Sequence, residues 1–339
     1  MSPTIKEVAE AAQTSIKTVS RVVNQEPGVA PVMREKVRRI IAELGYVPNS
    51  SARRLKRGLA ESFGLVLPRM ESPYAMKVLN HVLVESSQAG YAVQVIAADP
   101  DLENDSQAIE RIIRLRQVDG LLIAPPLRHC SRLIEELNRS KFPCVVITPN
   151  ETDCVDNSVE ATDRLGSAEA TRYLLSLGHR RIAYITCGRE FRFSVERTKG
   201  FVEEVVSQGL EAPERWIFEG DTTFESGYQN AQMILERAEA PLAILAGNDE
   251  MAVGVINHLM LNGYRVPQDV SVMGFDDMPI AKQVYPPLTT VCQPVDQIVQ
   301  SAVRLLLRLI ASRSPVEGEQ IQVPTRLVIR GSCLPPRTA

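Results

Sequence analysis

The stretch TIKEVAEAAQTSIKTVSRVVN (residues 4–24) reads as two short helices joined by a tight turn. Thr4 can N-cap the first helix, whose apolar positions Val8, Ala9 and Ala12 fall on one face. The turn lies at Gln13-Thr14. Ser15 can cap a second helix running through Asn24, with Val19 and Val23 turned inward. On its outward side Ile16 and Lys17 occupy the first turn, and Ser20 and Arg21 follow one turn later. Two helices joined by so short a turn form a helix-turn-helix pattern. Lys17 and Arg21 are spaced i, i+4 and project together, as side chains that donate to guanine O6 and N7 must. Ser15, Thr18 and Asn24 are suited to phosphate contacts.

A third helix is expected from about Pro31 to Leu44, with Val37, Ile40, Ile41 and Leu44 at i, i+3, i+4 and i+7. Gly45 suits the position just past its end, and Tyr46-Val47-Pro48 closes a unit of residues 1–48. Residues 49–59 read as a linker with four cations in five residues: Arg53, Arg54, Lys56 and Arg57. So short a segment cannot hold a helix alone in water and is expected to be frayed unless a partner neutralises and packs it. Residues 1–60 carry 11 Lys/Arg against 5 Asp/Glu, a balance of +6 that leaves the rest of the chain at −9. A basic head on an acidic body is what a polyanion reached by the head alone would select, although small helical domains are often lysine-rich for no such reason.

From Glu61 onward the pattern changes. Short apolar runs at Gly64–Leu67, Ala92–Ala97, Leu121–Ala124, Cys144–Thr148, Arg181–Thr186, Leu242–Ala246 and Ser271–Phe275 alternate with amphipathic stretches near 75–89, 106–116, 130–140, 163–177, 195–208, 225–238 and 249–262. Alternation of this kind implies parallel sheets covered by helices on both faces. A break around Asn150–Thr162 divides the body, 60–339, into two doubly wound lobes. Ligands of such folds bind beyond the carboxyl ends of the strands, so the cleft between lobes is the place to search.

Several classes are excluded or disfavoured. The chain has 339 residues, 44% of them hydrophobic and 23% charged, which suits a globular protein and not a disordered one. No apolar run is long enough for a membrane span, and the N-terminus lacks a secretory leader, which points to the cytoplasm and against an exported binding protein. The six cysteines show no Cys-x-x-Cys pair and the four histidines lie apart from them, so neither a disulfide framework nor a metal site is expected, and no cofactor. There is no P-loop, no G-x-G-x-x-G after a strand and no G-x-S-x-G elbow, so an enzyme is disfavoured.

Together with VRRIIAELGYVPN (37–49), LGHRRIA (177–183), AGNDEMAVG (246–254), VPQDVSVMGFDD (266–277), PPLTTV (286–291) and RGS (330–332), the head resembles the lactose/purine repressor family of bacterial transcription regulators. The likeness runs in the right order over nearly the whole chain. It implies a periplasmic-binding-protein-like body, with an N-lobe of about 60–160 and 293–323 and a C-lobe of about 161–292 and 324–335. It also implies a homodimer that reads a pseudo-palindromic double-stranded operator as a repressor, under control of a small molecule held between the lobes. By the same resemblance, Leu55 is a hinge leucine that wedges into the minor groove. Asn49 and Ala52 match hinge positions facing that groove, with Arg53 and Lys56 beside them; the alternative is a merely flexible basic linker. Thr4 joins the DNA-contacting set. Three positions depart from the family: Gln13 stands for a usual glycine, Thr14 for an apolar residue, and Ala30 for a capping serine. The head is therefore expected to be marginal alone, since a lost cap costs about 1 kcal/mol. The tail after Arg330 has no leucine heptads, so no tail-mediated tetramer is expected.

Effector contacts implied by the resemblance are Ser72 and Tyr74 in ESPY (71–74), Phe193, Arg197 in ERTKGF (196–201), Thr222 in GDTTFESG (220–227), Asn248 and Asp276. Arg and Asp can grip neighbouring hydroxyls while an aromatic ring covers a sugar face. Family members often carry an aromatic residue where Thr222 stands, so a stacked planar base is disfavoured and a sugar or sugar acid favoured; Arg197 could bind a carboxylate bidentately. Each position has a structural alternative. Arg197 could form a surface ion pair with Glu196 or Glu203, Tyr74 could pack in the core, and Asp276-Asp277 could be a turn. Asp249 is read as the N-cap of the helix 250–262, and Asp163 as a cap or a ligand contact. Phe191 and Phe224 are further lining candidates. A sugar-binding transport component is the competing reading.

Overall fold

A computed structural model of the chain describes residues 3–23, 26–46, 59–68, 72–98, 113–114, 117–125, 131–150, 153, 155–210, 214–237, 243–312 and 318–336. It separates into two compact units, Met1–Leu59 and Ala60–Ala339.

In the first unit, α1 (Ile5–Ala11), α2 (Ile16–Val23) and α3 (Pro31–Leu44) surround one small core. Thr4 caps α1 with a reciprocal box, its hydroxyl accepting from the Glu7 amide while the Glu7 carboxylate accepts from the Thr4 amide at 2.6 Å. The Ser15 hydroxyl accepts from the Thr18 amide at 3.1 Å and opens α2. Gln13 takes φ 51°, the left-handed turn for which glycine would be free of cost. Ala30 makes no side-chain cap, and Gly45 ends α3 at φ 63°. Val8, Ala9, Ala12, Val19, Val22, Val37, Ile40 and Tyr46 form the core. The inward pair on α2 is thus Val19 and Val22, not Val19 and Val23. Both α1 and α3 press on this helix, and the wider stripe leaves Val23 at the margin.

The second unit contains two six-stranded sheets. The first comprises β1 (Ser62–Pro68), β2 (Ala92–Ala98), β3 (Leu121–Ile123), β4 (Cys144–Ile147), β5 (Ser158–Ala161) and β11 (Gln320–Val323), in the order β2-β1-β3-β4-β5-β11 and parallel throughout. The second comprises β6 (Ile182–Ile185), β7 (Ile217–Phe218), β8 (Ala243–Ala246), β9 (Ser271–Asp276), β10 (Thr289–Cys292) and β12 (Arg326–Val328). Its order, β7-β6-β8-β9-β10-β12, repeats the first, and only β12 runs antiparallel. The helices α4 (Pro73–Ala89), α5 (Ser131–Ser140) and α11 (Val295–Ala311) belong to the first lobe. The second holds α6 (Asp163–Ser176), α7 (Arg192–Ser207), α8 (Phe224–Leu235), α9 (Asp249–Leu261) and the short α10 (Ile280–Gln283). The chain changes lobes three times, between β5 and α6, between β10 and α11, and between β11 and β12. Thr162 and Thr325 tie two of these crossings together: the Thr325 amide donates to Thr162 Oγ1 at 3.0 Å.

Seven strands lie where the alternation placed them. The apparent break at Asn150–Thr162 contains β5, and β7, β10, β11 and β12 are further strands that periodicity alone did not separate. The longest missed helix, α11, buries Val295, Ile298, Val299, Ala302, Val303, Leu305, Leu306 and Ile310 on one stripe. The expected helix at 106–116 falls almost wholly outside the described residues. No helix among the described residues is long and apolar enough to cross a membrane.

The helix pair α8/α9 owes its closeness to two glycines. A Cβ on Gly254 would stand 2.1 Å from the Phe224 carbonyl oxygen, and one on Gly227 would stand 2.1 Å from that of Met251. Backbone cannot yield as a flexible side chain can. Gly254→Ala should therefore cost about 1–3 kcal/mol, read as a lower melting temperature; an unchanged transition would mean the helices can part freely.

Candidate effector site

Polar groups at or just past the carboxyl ends of β5, β8, β9 and β10 meet around one side chain. That side chain is Arg197, on the first turns of α7 and 2% exposed. Its Nε donates to Asp163 Oδ1 at 2.7 Å, Nη1 to the Gly247 carbonyl at 2.6 Å and Nη2 to Asp276 Oδ1 at 3.2 Å. Phe275 lies 3.7 Å and Phe193 5.0 Å (ring centroid) from the guanidinium carbon. Gln293, at the second lobe crossing, donates to the same Asp276 oxygen at 2.6 Å. Arg197 therefore makes no surface pair with Glu196 or Glu203; Glu196 bonds Lys199, and Glu203 bonds Arg164. The carboxylates that grip Arg197 belong to the protein itself.

The charge states follow from this packing. Burial works against the Arg197 charge, but Asp163 and then Asp276 outweigh it and hold the guanidinium protonated. Burial pushes Asp163 up to about 6 in spite of Arg197. Asp276 is raised by burial, with Arg197 and Gln293 opposing. Burial, and then the charges of Asp276 and Asp163, raise the Tyr74 hydroxyl on α4. That hydroxyl is buried with no hydrogen-bond partner, as is Thr186 Oγ1 at the end of β6.

A folded-state value of about 6 for Asp163 lies above the ordinary value near 3.9. A raised carboxyl stabilises the fold below the ordinary value, and this contribution is lost as pH rises through the folded one. Asp163→Asn mimics the neutral acid, so its melting temperature relative to the parent should climb between the ordinary value near 3.9 and the folded value of about 6 and level off above it; a pH-independent difference would contradict the raised value.

Asp276 takes φ 113° and Asp277 φ 53°, two successive non-glycine residues in the strained region. Such strain costs about 1–3 kcal/mol per residue and survives where neighbours over-determine it. Asp249 does much of this. It is fully buried, accepts from the Met278 amide at 2.7 Å and the Thr290 hydroxyl at 2.6 Å, and lies against Gly274, where a Cβ would meet its Oδ1 at 2.3 Å. Arg330 grips Asp277 from the other side. The N-cap of α9 is thus Asn248, whose Oδ1 accepts from the Met251 amide at 2.9 Å, and Asp249 is a buried brace. Both residues can accept an amide bond, and only tertiary contacts decide which one caps.

The expected contacts fall into groups. Tyr74, Phe193, Arg197 and Asp276 converge, with Asp163 among them. Asn248 and Thr222 bond each other, the amide nitrogen donating to the Thr222 carbonyl at 2.8 Å, one residue beyond Gly247. Ser72 precedes α4 and makes no cap bond. Phe191 stacks on Phe193 at 5.4 Å, and Phe224 begins α8. Gln293 and Phe275 escaped the sequence reading, because nothing in their local pattern shows that they reach Asp276 and Arg197. Beside the network a cavity of about 240 Å³ is lined by Thr148, Glu160, Asp163, Arg192, Phe193 and Gln322 among others. Arg192 and Glu160 bridge the lobes across it at 3.4 Å. No cluster suited to a metal ion occurs among the described residues.

On the head, Ile16 and Lys17 are exposed, and Ser20 and Arg21 are half-buried on the outward side of α2. The Ser15 and Thr18 hydroxyls bond each other at 2.9 Å, and the Thr4 hydroxyl donates to Glu7 within its cap. Asn24, Asn49, Ala52, Arg53, Leu55 and Lys56 lie outside the described residues.

Residues 4–49 match the model of bacterial regulatory proteins of the lacI family, and residues 171–333 match that of a periplasmic binding protein-like domain. The chain is 31% identical to catabolite control protein A of Priestia megaterium over 98% of this chain and 99% of that one. It is 35% identical to the HTH-type transcriptional repressor PurR of Klebsiella pneumoniae over 97% and 96%. Among solved structures it is similar to the lac repressor dimer bound to operator and the anti-inducer ONPF, with TM-score 0.82, 28% identity and coverage of 98% and 100%. It is also similar to a complex of the transcriptional regulator CelR with cellobiose, with TM-score 0.75, 30% identity and coverage of 97% and 99%.

Proposed function

The chain belongs to the LacI family of bacterial regulatory proteins, and we propose that it is a cytoplasmic homodimeric repressor whose operator affinity is set by a small polyhydroxy effector bound between the two lobes of residues 60–339. The single observation that carries this reading is the buried Asp163–Arg197–Asp276 network, set at the strand ends of a body that follows a helix-turn-helix. A cleft with unpartnered hydroxyls at Tyr74 and Thr186 suits a ligand that brings its own hydroxyls. A related regulator is solved with cellobiose, which supports the sugar class. The transport reading has no use for the head, and the relatives are regulators, not enzymes.

The mechanism follows from linkage. An effector that binds one lobe arrangement better than another shifts the population between them. In a dimer, that changes the separation of two heads which must meet half-sites at fixed spacing. Lys17 and Arg21 read base edges, Ile16 packs at the groove, and Thr4, Ser15, Thr18, Ser20 and Asn24 position the helix on phosphates. Arg53 and Lys56 add phosphate contacts, Leu55 of each hinge wedges open a base step, and Asn49 and Ala52 face the minor groove.

The test is a gel shift of the full-length protein on a pseudo-palindromic operator and on scrambled duplex, with and without a sugar panel. No preference for any palindrome would end the reading. Leu55→Ala should weaken operator binding by about tenfold or more while sparing scrambled DNA, because only the specific complex repays the unstacking of a base step. Equal losses on both duplexes would remove the wedge.

A further inference from the structure

We propose that Asp163 sets the charge class of the effector: together with Asp276 it outweighs the charge of Arg197, so the cleft accepts an uncharged, hydroxyl-rich molecule and refuses sugar acids and phosphates. This rests on the reading of the cleft as the effector site and narrows it.

An arginine at the centre of a ligand cleft ordinarily suggests an anionic ligand, because its planar fork matches a carboxylate or phosphate. Here every nitrogen of the fork is already engaged by the protein. All three guanidinium nitrogens donate to the protein, with the 2.7 Å bond to Asp163 shorter than the 3.2 Å bond to Asp276. Phe275 and Phe193 cover the guanidinium, and the residue is 2% exposed. An incoming carboxylate would have to displace one of the protein's own carboxylates and leave that charge buried without a partner, or settle against both of them on the remaining N–H groups, where like charges oppose it. Two carboxylates about one guanidinium also give the cluster a formal charge of −1. The other charges nearby do not reverse this. Glu160 and Arg192 pair with each other, and Lys77 on α4 acts on Asp276 less than Arg197 or Gln293 does.

What the cluster offers a ligand points the same way. Both bonds to Asp276 fall on Oδ1, and the bond to Asp163 falls on its Oδ1, so each carboxylate keeps an oxygen that can accept. The Tyr74 and Thr186 hydroxyls are buried without partners and can donate or accept. A molecule rich in hydroxyls satisfies all of these; an anion places lone pairs against lone pairs. Asp163 is the deciding residue. Without its charge the Arg197–Asp276 pair is neutral, and the Nε edge of the guanidinium keeps at most an uncharged acceptor.

The experiment compares full-length protein and Asp163→Asn, which keeps the side chain's size and an acceptor for Nε. Thermal shift and calorimetry are run at pH 7.5 with matched pairs differing only in charge: D-glucose and D-gluconate, D-galactose and D-galactonate, cellobiose and cellobionate, with inorganic phosphate beside them. In the parent a neutral member should bind, and its acid partner should bind roughly a hundredfold more weakly or not at all. In Asp163→Asn the affinity for an acid partner or for phosphate should rise by about tenfold or more. A parent protein that binds any acid member or phosphate as tightly as the neutral partner overturns the proposal and leaves the effector reading standing. So does an Asp163→Asn variant, folded by its melting transition and operator binding, whose anion affinity has not risen. If no neutral member binds the parent, the sugar class fails; a gain of anion binding in the variant would still uphold the role of Asp163. Should the variant fail to fold, the matched pairs on the parent decide alone.

Discussion

Arg197→Ala should lower the melting temperature of the protein by about 10 °C and abolish its response to effector. The residue is not an independent ligand contact set in a wall. Removing it leaves Asp163 and Asp276 buried side by side at 5% and 8% exposure, strips the Gly247 carbonyl of a donor and takes away the group that Phe275 packs against. Breaking a buried ion pair from one side costs about 3–5 kcal/mol, and in a domain of this size each kcal/mol moves the transition by roughly 2–4 °C. Part of the loss should come from the two stranded charges alone. Arg197→Met combined with Asp163→Asn and Asp276→Asn should therefore melt well above Arg197→Ala, although it too will not respond to effector. A melting temperature for Arg197→Ala within two degrees of the parent would show that water or rearrangement screens the carboxylates, and that the network is looser than its distances imply. Were Arg197 only a ligand contact, such a variant would bind ligand-free operator as before. Burial makes that dependent on working below the lowered transition.

The difference between those expectations marks where the sequence stops being readable. The head could be read almost residue by residue, because capping boxes, turn conformations and short helices are decided locally: Thr4 with Glu7, Ser15 with Thr18, and Gly45 at φ 63° all depend on neighbours within four positions. The alternation of the body was legible for the same reason. What was not legible is what is closed over long separations. Gln293 reaches Asp276 across 17 positions, Thr290 reaches Asp249 across 41 and Arg197 reaches Asp276 across 79. No periodicity encodes such pairings. Nor could the sequence tell an arginine waiting for a ligand from one already engaged by the protein, because Asp163 looks like an ordinary first-turn acid until the fold brings α7 against it. The short strands β7, β11 and β12 were missed for a related reason. They are partly exposed strands at the sheet ends, so they lack the continuous apolar run that revealed equally short buried strands such as β3 and β8, and owe their conformation to the sheet edge they join.

Severing the chain after Leu59 should abolish operator recognition in the body and strip the head of most of its operator selectivity, while leaving ligand binding intact in the body. The two units have separate cores: Val8, Val19, Val22, Val37, Ile40 and Tyr46 hold the head, whereas the cores of the body are built wholly from residues beyond Ala60. The 60–339 fragment should therefore fold, dimerise and bind effector with the affinity of the whole protein. It should bind no DNA, since it carries a charge of −9 after the +6 head is removed and repels phosphates. The 1–59 fragment keeps every base-reading side chain of α2, yet it has one small core, an uncapped α3 behind Ala30 and a strained turn at Gln13. It should melt at lower temperature than it does in the whole chain. Without a body to pair two copies, it meets one half-site at a time. Joining two weak sites multiplies affinity by roughly a hundredfold or more when their spacing fits, so the isolated head should prefer operator over scrambled DNA by at least that factor less than the parent. Its affinity should fall steeply with salt, because phosphate neutralisation then supplies most of its binding. An isolated head that holds operator as tightly and as selectively as the full protein would place recognition entirely within the helix-turn-helix, leaving an effector in the cleft no lever by which to release DNA.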